Sequence, residues 1–293
     1  MKNRNVSSSP YSREVKKKKQ KILKTKVIIF ILIFFSVLVG LGLTSRWEKI
    51  NIENIEIKGN SATDSEMLEE VAKEQITGYY LWFFPKTNIL LYPKGEIKRK
   101  LADNFKILKD ISLKVESPRT LKITLSEREG EYTWCGGDLP AKDSKSENVK
   151  CYFMDAIGYI FDEAPYFSND VYFKFFGVVA QNSEMTPPLG FYFFPDIFPR
   201  LLSLRESMEK IGIKTSSLLM KNDGGGELHL SSNLSFVEGP KIIFKMDSNF
   251  EKITENLQAA LTTEPLQSDF KNKYSSLQYI DLRFGNKVYY KFK

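Results

Sequence analysis

The side chains in this sequence that could support catalysis or metal binding are few and scattered. A single histidine, His229, lies in the strand-like segment GELHL, with no second histidine or cysteine pair at metal-ligand spacing. Asp155 and Asp162 flank one turn, which is common in proteins without catalytic activity. There is no G-x-S-x-G motif, no phosphate-binding loop and no S-x-x-K followed by the other penicillin-binding signatures. We therefore expect no catalytic residues, no metal and no cofactor.

Composition places the chain among folded proteins, and its charge is unevenly distributed. The 293 residues are 42% hydrophobic and 13% aromatic, which allows about two domains and excludes a wholly disordered protein. The net charge of +7 would suit nucleic acid if it lay on the folded part. Residues 1–26 carry +9, however, so residues 27–293 carry −2. We expect residues 1–26 to be a disordered basic tail, and we expect no nucleic-acid partner.

An apolar run of seventeen residues without a charge, Val27–Leu43, directly follows the tail. As a helix it would be about 25 Å long, at the short end for crossing a bilayer. We expect an uncleaved transmembrane helix over residues 27–45. A cleaved signal peptide is the alternative, although no clear small-x-small cleavage site follows. The positive-inside rule then predicts a single-pass protein of the cell membrane, with a cytoplasmic N-terminus and C-terminal domains outside the cytoplasm.

The two cysteines, Cys135 and Cys151, both lie outside the cytoplasm in this topology. Each adjoins an apparent strand, and a polar loop of fifteen residues separates them. A disulfide across such a loop would contribute about 3 kcal/mol in the chain-entropy model. Two buried free thiols are the alternative, because not every outer compartment oxidises cysteines efficiently.

Residues 50–127 predict a compact domain built from a strand, two helices and two strands. Thr63 and Glu66 form a capping-box pattern at the start of the first helix. Between the helices lies an aromatic insert, residues 79–92, which is too short to span a membrane and is interrupted by Pro85. We expect the insert to pack between the two helices. Contact with the membrane surface is the alternative.

Residues 128–293 predict a mainly β domain with two helices. Apolar residues recur at helical spacing around Ile197–Ile211 and from about Phe250 to Leu261. The chain closes with a predicted hairpin, in which Leu277–Phe284 and Lys287–Phe292 are joined across Gly285-Asn286. The overall fold class is therefore α+β, preceded by one transmembrane helix.

The order of these segments resembles the bacterial cell-division protein family FtsQ/DivIB. IENIEIKGN, after the apolar run, looks like the opening strand of that family's POTRA domain, and SPRTLKITLSERE looks like its closing hairpin. CYFMDAIGYIFDEAP is similar to a strand, turn and strand of the family. ENLQAAL and YIDLRFGNKVYYKF look like the helix and final strands of its β domain. The linear order of these segments behind one anchor carries the resemblance, because no single motif is specific.

The resemblance implies a POTRA-like domain over residues 50–127 and an FtsQ-like β domain over residues 128–293. It also implies a non-enzymatic scaffold at the division septum. Such a scaffold binds FtsB-like and FtsL-like partners and helps recruit septal peptidoglycan synthesis proteins. Its physical means would be strand addition, because an edge strand offers unpaired backbone groups. The partner-binding residues implied near this edge are Tyr279, Asp281, Arg283, Phe284, Val288 and Tyr289.

Two readings of this last hairpin and three functions stay open at the level of the sequence. Arg283 could pair with a partner carboxylate while Phe284 fills an apolar pocket. Alternatively, Phe284 belongs to the core and Arg283 to a solvated face. The functional alternatives to a divisome scaffold are a POTRA-bearing subunit of a protein-translocation or assembly system and a membrane-anchored wall-modifying hydrolase. The first is weakened because the C-terminus lacks a long run of lipid-facing strands, and the second because no catalytic set is recognisable.

Overall fold

The computed structural model describes residues 10–140, 149–167, 171–179, 187–231 and 239–293. Within these residues the chain is a mixed α+β protein with six α-helices and three β-sheets. It divides into two compact units. One extends to Asn104 and includes Asp110–Ser126, and the other consists of Phe105–Lys109 and Glu127–Lys293.

The first unit begins with one long helix, α1 (Pro10–Ser45). The side chains of its uncharged run, Val27–Leu43, are almost all exposed, and by length and composition the helix can cross a membrane. The prediction of a disordered tail over residues 1–26 is wrong from Pro10 onward, while residues 1–9 lie outside the described part. Lysines lose little rotamer freedom in a helix, and extending an existing helix avoids the costly nucleation step.

The rest of the first unit is a three-stranded sheet with two helices and a small hairpin. In chain order its elements are β1 (Asn54–Lys58), α2 (Ser65–Ile76), β2 (Tyr79–Tyr80), β3 (Phe84–Pro85), α3 (Lys94–Asn104), β4 (Leu108–Ser117) and β5 (Thr120–Glu127). The sheet has the order β1-β5-β4, with β1 parallel to β5. The helices bury apolar side chains spaced by four residues, among them Leu68 and Ala72 in α2 and Ile97 and Leu101 in α3.

The start of α2 differs from the capping box that the sequence predicts. Asp64, rather than Thr63, is the N-cap residue, and its Oδ1 accepts a hydrogen bond of 2.9 Å from the backbone N–H of Glu66. Asp64 has an extended backbone, so its short carboxylate reaches a free N–H of the first turn directly. The helix ends at Ile76, before Thr77 and Gly78.

The second unit is dominated by a nine-stranded sheet. Its strands are β6 (Tyr132–Trp134), β7 (Cys151–Met154), β8 (Ile160–Ala164), β9 (Phe173–Phe176), β10 (Thr215–Met220), β11 (Gly225–Leu230), β12 (Lys241–Lys245), β13 (Leu277–Phe284) and β14 (Lys287–Phe292). Among the described residues their order is β14-β13-β12-β11-β10-β9-β6-β7-β8. The final hairpin, β13 and β14, has the bounds that the sequence predicts.

Helices in the second unit cover one face of this sheet. They are α4 (Phe198–Lys210), α5 (Phe250–Leu261) and α6 (Leu266–Asn272). A third helix, α6, makes the prediction of two helices wrong. This helix has seven residues, of which only Leu266 is buried, so it is too short for a helical period to be visible in the sequence. On the covered face, paired residues of β9 to β13 form one buried apolar row: Phe175, Leu218, Leu228, Ile242 and Ile280.

Cys135 and Cys151 are joined by a disulfide in the structure, with 4.1 Å between their Cα atoms. Cys135 follows β6 and Cys151 begins β7, and these two strands are paired antiparallel. The two half-cystines belong to a small apolar cluster that includes Phe176 and Leu219. The bond therefore closes the loop between two neighbouring strands, part of which, residues 141–148, lies outside the described residues.

Replacing both cysteines by serine is expected to lower the free energy of unfolding by about 3 kcal/mol, because the unfolded chain regains the freedom of the opened loop. Urea unfolding of the full chain in detergent micelles measures this change. Wild-type protein treated with a reductant is the matched control and should unfold at the same urea concentration as the double variant. An unchanged midpoint in both samples would contradict the expectation.

Candidate functional site

The two end strands of the nine-stranded sheet, β8 and β14, differ in how far the backbone groups on their outer sides are hydrogen-bonded. At one end, the first residue of β8 is bonded to a neighbouring segment: Ile160 N–H donates to the Phe191 carbonyl at 2.9 Å and Gly190 N–H donates to the Ile160 carbonyl at 2.8 Å. At the other end, β14 pairs antiparallel with β13. Within the part of the chain that the structure describes, no strand lies on the outer side of β14. This outer side is therefore a candidate for pairing with another chain.

Side chains along β14 alternate between the core and the solvent. Val288, Tyr290 and Phe292 are half-buried and pack against the main apolar core. Lys287 and Lys291 are exposed, as is Tyr289. Of the residues implied by the family resemblance, Val288 thus faces its own core, whereas Tyr289 faces solvent.

Phe284 and Tyr289 form an exposed aromatic pair at the turn of the hairpin. Phe284 is 55% exposed and Tyr289 is 48% exposed. Their rings meet edge to face, with centroids 5.3 Å apart. The reading of Phe284 as a core residue is wrong. The register of β13 and β14 shifts between Asp281 and Phe284, so the alternation that would direct Phe284 toward the core is interrupted there.

Arg283 is engaged by a carboxylate of its own chain. Its Nε donates to Asp281 Oδ1 at 2.9 Å and its Nη2 donates to Asp281 Oδ2 at 2.6 Å. Asp281 is buried, while the Arg283 side chain stays partly exposed. Burial raises the pKa of Asp281, but the hydrogen bonds from Arg283 outweigh it and hold the pKa below its usual value. Nη1 of Arg283 carries two further N–H donors that a partner could use.

A second ion-pair cluster lies on the same sheet face as Asp281. Glu227 of β11 is paired with Ile243 of β12, which in turn is paired with Asp281 of β13. The buried Glu227 carboxylate accepts from Lys221 Nζ at 2.7 Å and from Lys241 Nζ at 2.9 Å. Burial raises the pKa of Glu227, yet the two lysines hold it below its usual value. Both buried carboxylates are therefore ionised and charge-compensated at neutral pH.

The other titratable residues noted in the sequence have structural contacts. His229 is buried on β11, with its Nε2 3.7 Å from Glu227 Oε2. Asp155 Oδ1 accepts hydrogen bonds of 3.0 Å from the N–H groups of Ile157 and Tyr159, and Oδ2 pairs with Arg128. These bonds hold the turn from Asp155 to Gly158. Asp162 Oδ1 instead accepts from the N–H of Glu163.

The aromatic insert of the first unit does not have the packing that the sequence favours. The sequence favours packing of residues 79–92 between the two helices, but Leu81 is 81% exposed and Trp82 is 88% exposed. Phe83 and Leu90 are exposed as well. The short β2–β3 hairpin, which carries Leu81, Trp82 and Phe83 at its tip, leaves these side chains outside the unit's core, so the prediction is wrong for this part of the insert.

The Glu227→Gln/Asp281→Asn variant is expected to lose part of the acid sensitivity of folding. A lowered folded-state pKa stabilises the fold above the unfolded-state values, about 4.3 for Glu and 3.9 for Asp, and this contribution disappears as the pH falls through the lower folded-state values. The variant should thus be less stable at pH 7 and decline less between about pH 4.5 and 2. Urea midpoints across this range measure the difference. The exposed-site variant Asp247→Asn should follow the wild type, and a double variant with the wild-type pH profile would contradict the expectation.

Comparison with known proteins adds no assignment to this site. The sequence matches no protein-family model, and it matches no curated protein. The resemblance to FtsQ/DivIB, with the partner-binding residues that it implies around Phe284 and Tyr289, accordingly stays a proposal.

Proposed function

We propose that this protein is a non-enzymatic scaffold of the bacterial divisome, similar in role to FtsQ/DivIB. The observation that carries the proposal is the outer edge of β14, which no other described strand pairs with, and the exposed pair Phe284 and Tyr289 beside it. A scaffold needs a surface that recognises another chain, and an open strand edge supplies one without any catalytic group. The order of the sequence segments, from the apolar helix to the final hairpin, supports the same role.

The proposed anchoring follows from α1 and from the charge of the residues before it. By length and composition α1 can cross a bilayer, and most of the basic residues of this region precede its apolar run in the sequence. By the positive-inside rule the N-terminus would lie in the cytoplasm and both folded units outside it. The protein would then be a single-pass component of the cell membrane at the division septum.

The first unit is proposed to be a POTRA-like domain. Its element order, β1, α2, α3, β4 and β5, agrees with what the family resemblance implies, and the β2–β3 hairpin is an addition between the two helices. In a scaffold, this unit would serve as a docking module close to the membrane. The second unit would be the FtsQ-like β domain that binds FtsB-like and FtsL-like partners.

Partner binding at β14 would take place by strand addition. A segment of the partner would pair with the outer N–H and C=O groups of β14 and extend the sheet by one strand. Phe284 and Tyr289 would then bury their exposed ring surface against apolar partner residues. The flanking Lys287 and Lys291 would favour acidic residues on the partner, because both ammonium groups are exposed.

The Phe284→Ala/Tyr289→Ala variant is expected to weaken binding of an FtsB-like partner about 30-fold, as truncation of an aromatic hot spot costs about 2 kcal/mol. Titration of the detergent-solubilised full chain with the partner's extracytoplasmic segment measures the dissociation constant. Ile157→Ala, an exposed apolar truncation in the turn before β8, is the matched control and should bind like the wild type. Equal affinity of the double variant and the control would refute the proposed edge.

A fluorescent fusion at the N-terminus tests the cellular role. We expect the signal to concentrate at the septum of dividing cells, because recruitment of septal wall synthesis requires the scaffold at that place. The edge variant Phe284→Ala/Tyr289→Ala should still reach the membrane through α1. A uniform envelope signal of the wild-type fusion during division would count against the divisome proposal.

A further inference from the structure

The β2–β3 hairpin of the first unit, Tyr79–Pro85, exposes a row of apolar side chains at its tip. Leu81 and Trp82 are the two most exposed of these, and both have a positive φ, of 46° and 67°. A positive φ is uncommon for residues other than glycine. The hairpin thus holds bulky apolar side chains outward in a conformation that such residues seldom adopt, which favours a contact surface over an incidental loop.

This hairpin is bonded to the end of the apolar helix. Arg46, directly after α1, donates from Nε to the Phe83 carbonyl and from Nη2 to the Trp82 carbonyl, each at 3.3 Å. Its guanidinium also lies 5.5 Å from the centre of the Tyr79 ring. Gly42 allows close approach, because a Cβ at this position would stand only 3.3 Å from Cβ of Phe83. The hairpin is therefore held against the last turns of α1.

A polar brace fixes the base of the same segment to the last residue of α1. The buried side chain of Asn88 donates from Nδ2 to the Ser45 carbonyl at 3.1 Å, and Asn51 Nδ2 donates to the same carbonyl at 3.1 Å. Thr87 Oγ1 completes the brace by donating to Asn51 Oδ1 at 2.7 Å. The carbonyl of Ser45, which has no partner within the helix, is satisfied by these amides. The position of the hairpin along the axis of α1 is thereby fixed at the C-terminal end of that helix.

We propose that the β2–β3 hairpin inserts its tip into the outer headgroup–acyl boundary of the bilayer that α1 crosses. This inference rests on the proposed membrane anchoring by α1. The apolar run ends at Leu43, three residues before Arg46, so the hairpin bonded to Arg46 lies where the helix leaves the hydrocarbon region. Tyrosine and tryptophan are the residues enriched at that boundary, and basic side chains such as Arg46 and Lys86 reach from it to the headgroups.

The length of the apolar run gives the hairpin a physical role. Seventeen residues span about 25 Å as a helix, whereas the hydrocarbon core of a bilayer is about 30 Å thick. Such a mismatch leaves the helix end poorly positioned in depth and tilt unless flanking residues anchor it. Leu81, Trp82 and Phe83 would supply apolar surface beside the helix end, and the brace at Ser45 would transmit this position to the rest of the first unit.

Tryptophan quenching in lipid vesicles tests the insertion. The full chain is reconstituted in phosphatidylcholine–phosphatidylglycerol vesicles whose acyl chains are brominated near the glycerol end. In Trp47→Phe protein the remaining tryptophans are Trp82 and Trp134, and Trp134 is buried in the second unit with its indole N–H bonded to the Gly177 carbonyl. We expect the brominated lipid to remove the Trp82 share of the emission. The Trp47→Phe/Trp82→Phe variant is the control and should show no loss.

The Trp82→Phe variant keeps Trp47, which lies just after the end of α1. Quenching of Trp47 in this variant reports on the membrane anchor alone, so a failure of the hairpin to insert can be distinguished from a failure of the anchor. Loss of Trp47 emission in brominated vesicles together with full Trp82 emission would overturn the insertion and leave the anchor standing. Protein that does not float with the vesicles would refute both. Trp82 shielded from brominated lipid and from aqueous iodide alike would mean that a protein or a second copy covers the hairpin, which also overturns the proposal.

Discussion

The second unit depends on the burial of one apolar row that crosses its sheet from β9 to β13. Phe175, Leu218, Leu228, Ile242 and Ile280 are paired in register and lie under α4 and α5. Slipping any strand by one residue would turn its part of the row toward the opposite face, so the row holds the strand order and register together. Among the described residues the sheet is open rather than closed into a barrel, so each of its two end strands pairs with another strand on one side only.

The contacts on the opposite face of the sheet determine which side chains are left to bind a partner chain. Glu227 and Asp281 are buried there, and each is compensated by cations of its own chain, two lysines in one case and Arg283 in the other. Buried charges that already have partners stabilise the strands and offer little to a ligand, since breaking a buried pair is costly. The rings of Phe284 and Tyr289, in contrast, are largely exposed. Apolar recognition beside the edge strand is therefore the chemistry that this end of the sheet favours.

Much of the secondary structure was predictable because it depends on local periodicity. Helix α5 spans Phe250–Leu261, as apolar spacing by four indicates, and the final hairpin follows from alternation around Gly285-Asn286. Helix α6 was missed because seven residues show too little of a period. The helical part of the tail was missed because helix extension from the apolar run leaves no apolar pattern of its own. The sequence favours packing of the insert between the two helices because aromatic residues are usually buried, whereas Trp82 is exposed.

By itself, the sequence determined the partition of charge, the single apolar helix and the elements with a clear period, because each of these is a property of neighbouring residues. Tertiary structure alone decided that β14 lies at the end of the sheet, since strand order depends on pairing between residues far apart in the chain. It also decided that Phe284 is exposed, because the register shift that interrupts the alternation exists only in the paired strands. The outward Leu81 and Trp82 likewise depend on two contacts between residues some forty positions apart, Asn88 with the Ser45 carbonyl and Arg46 with the Trp82 carbonyl.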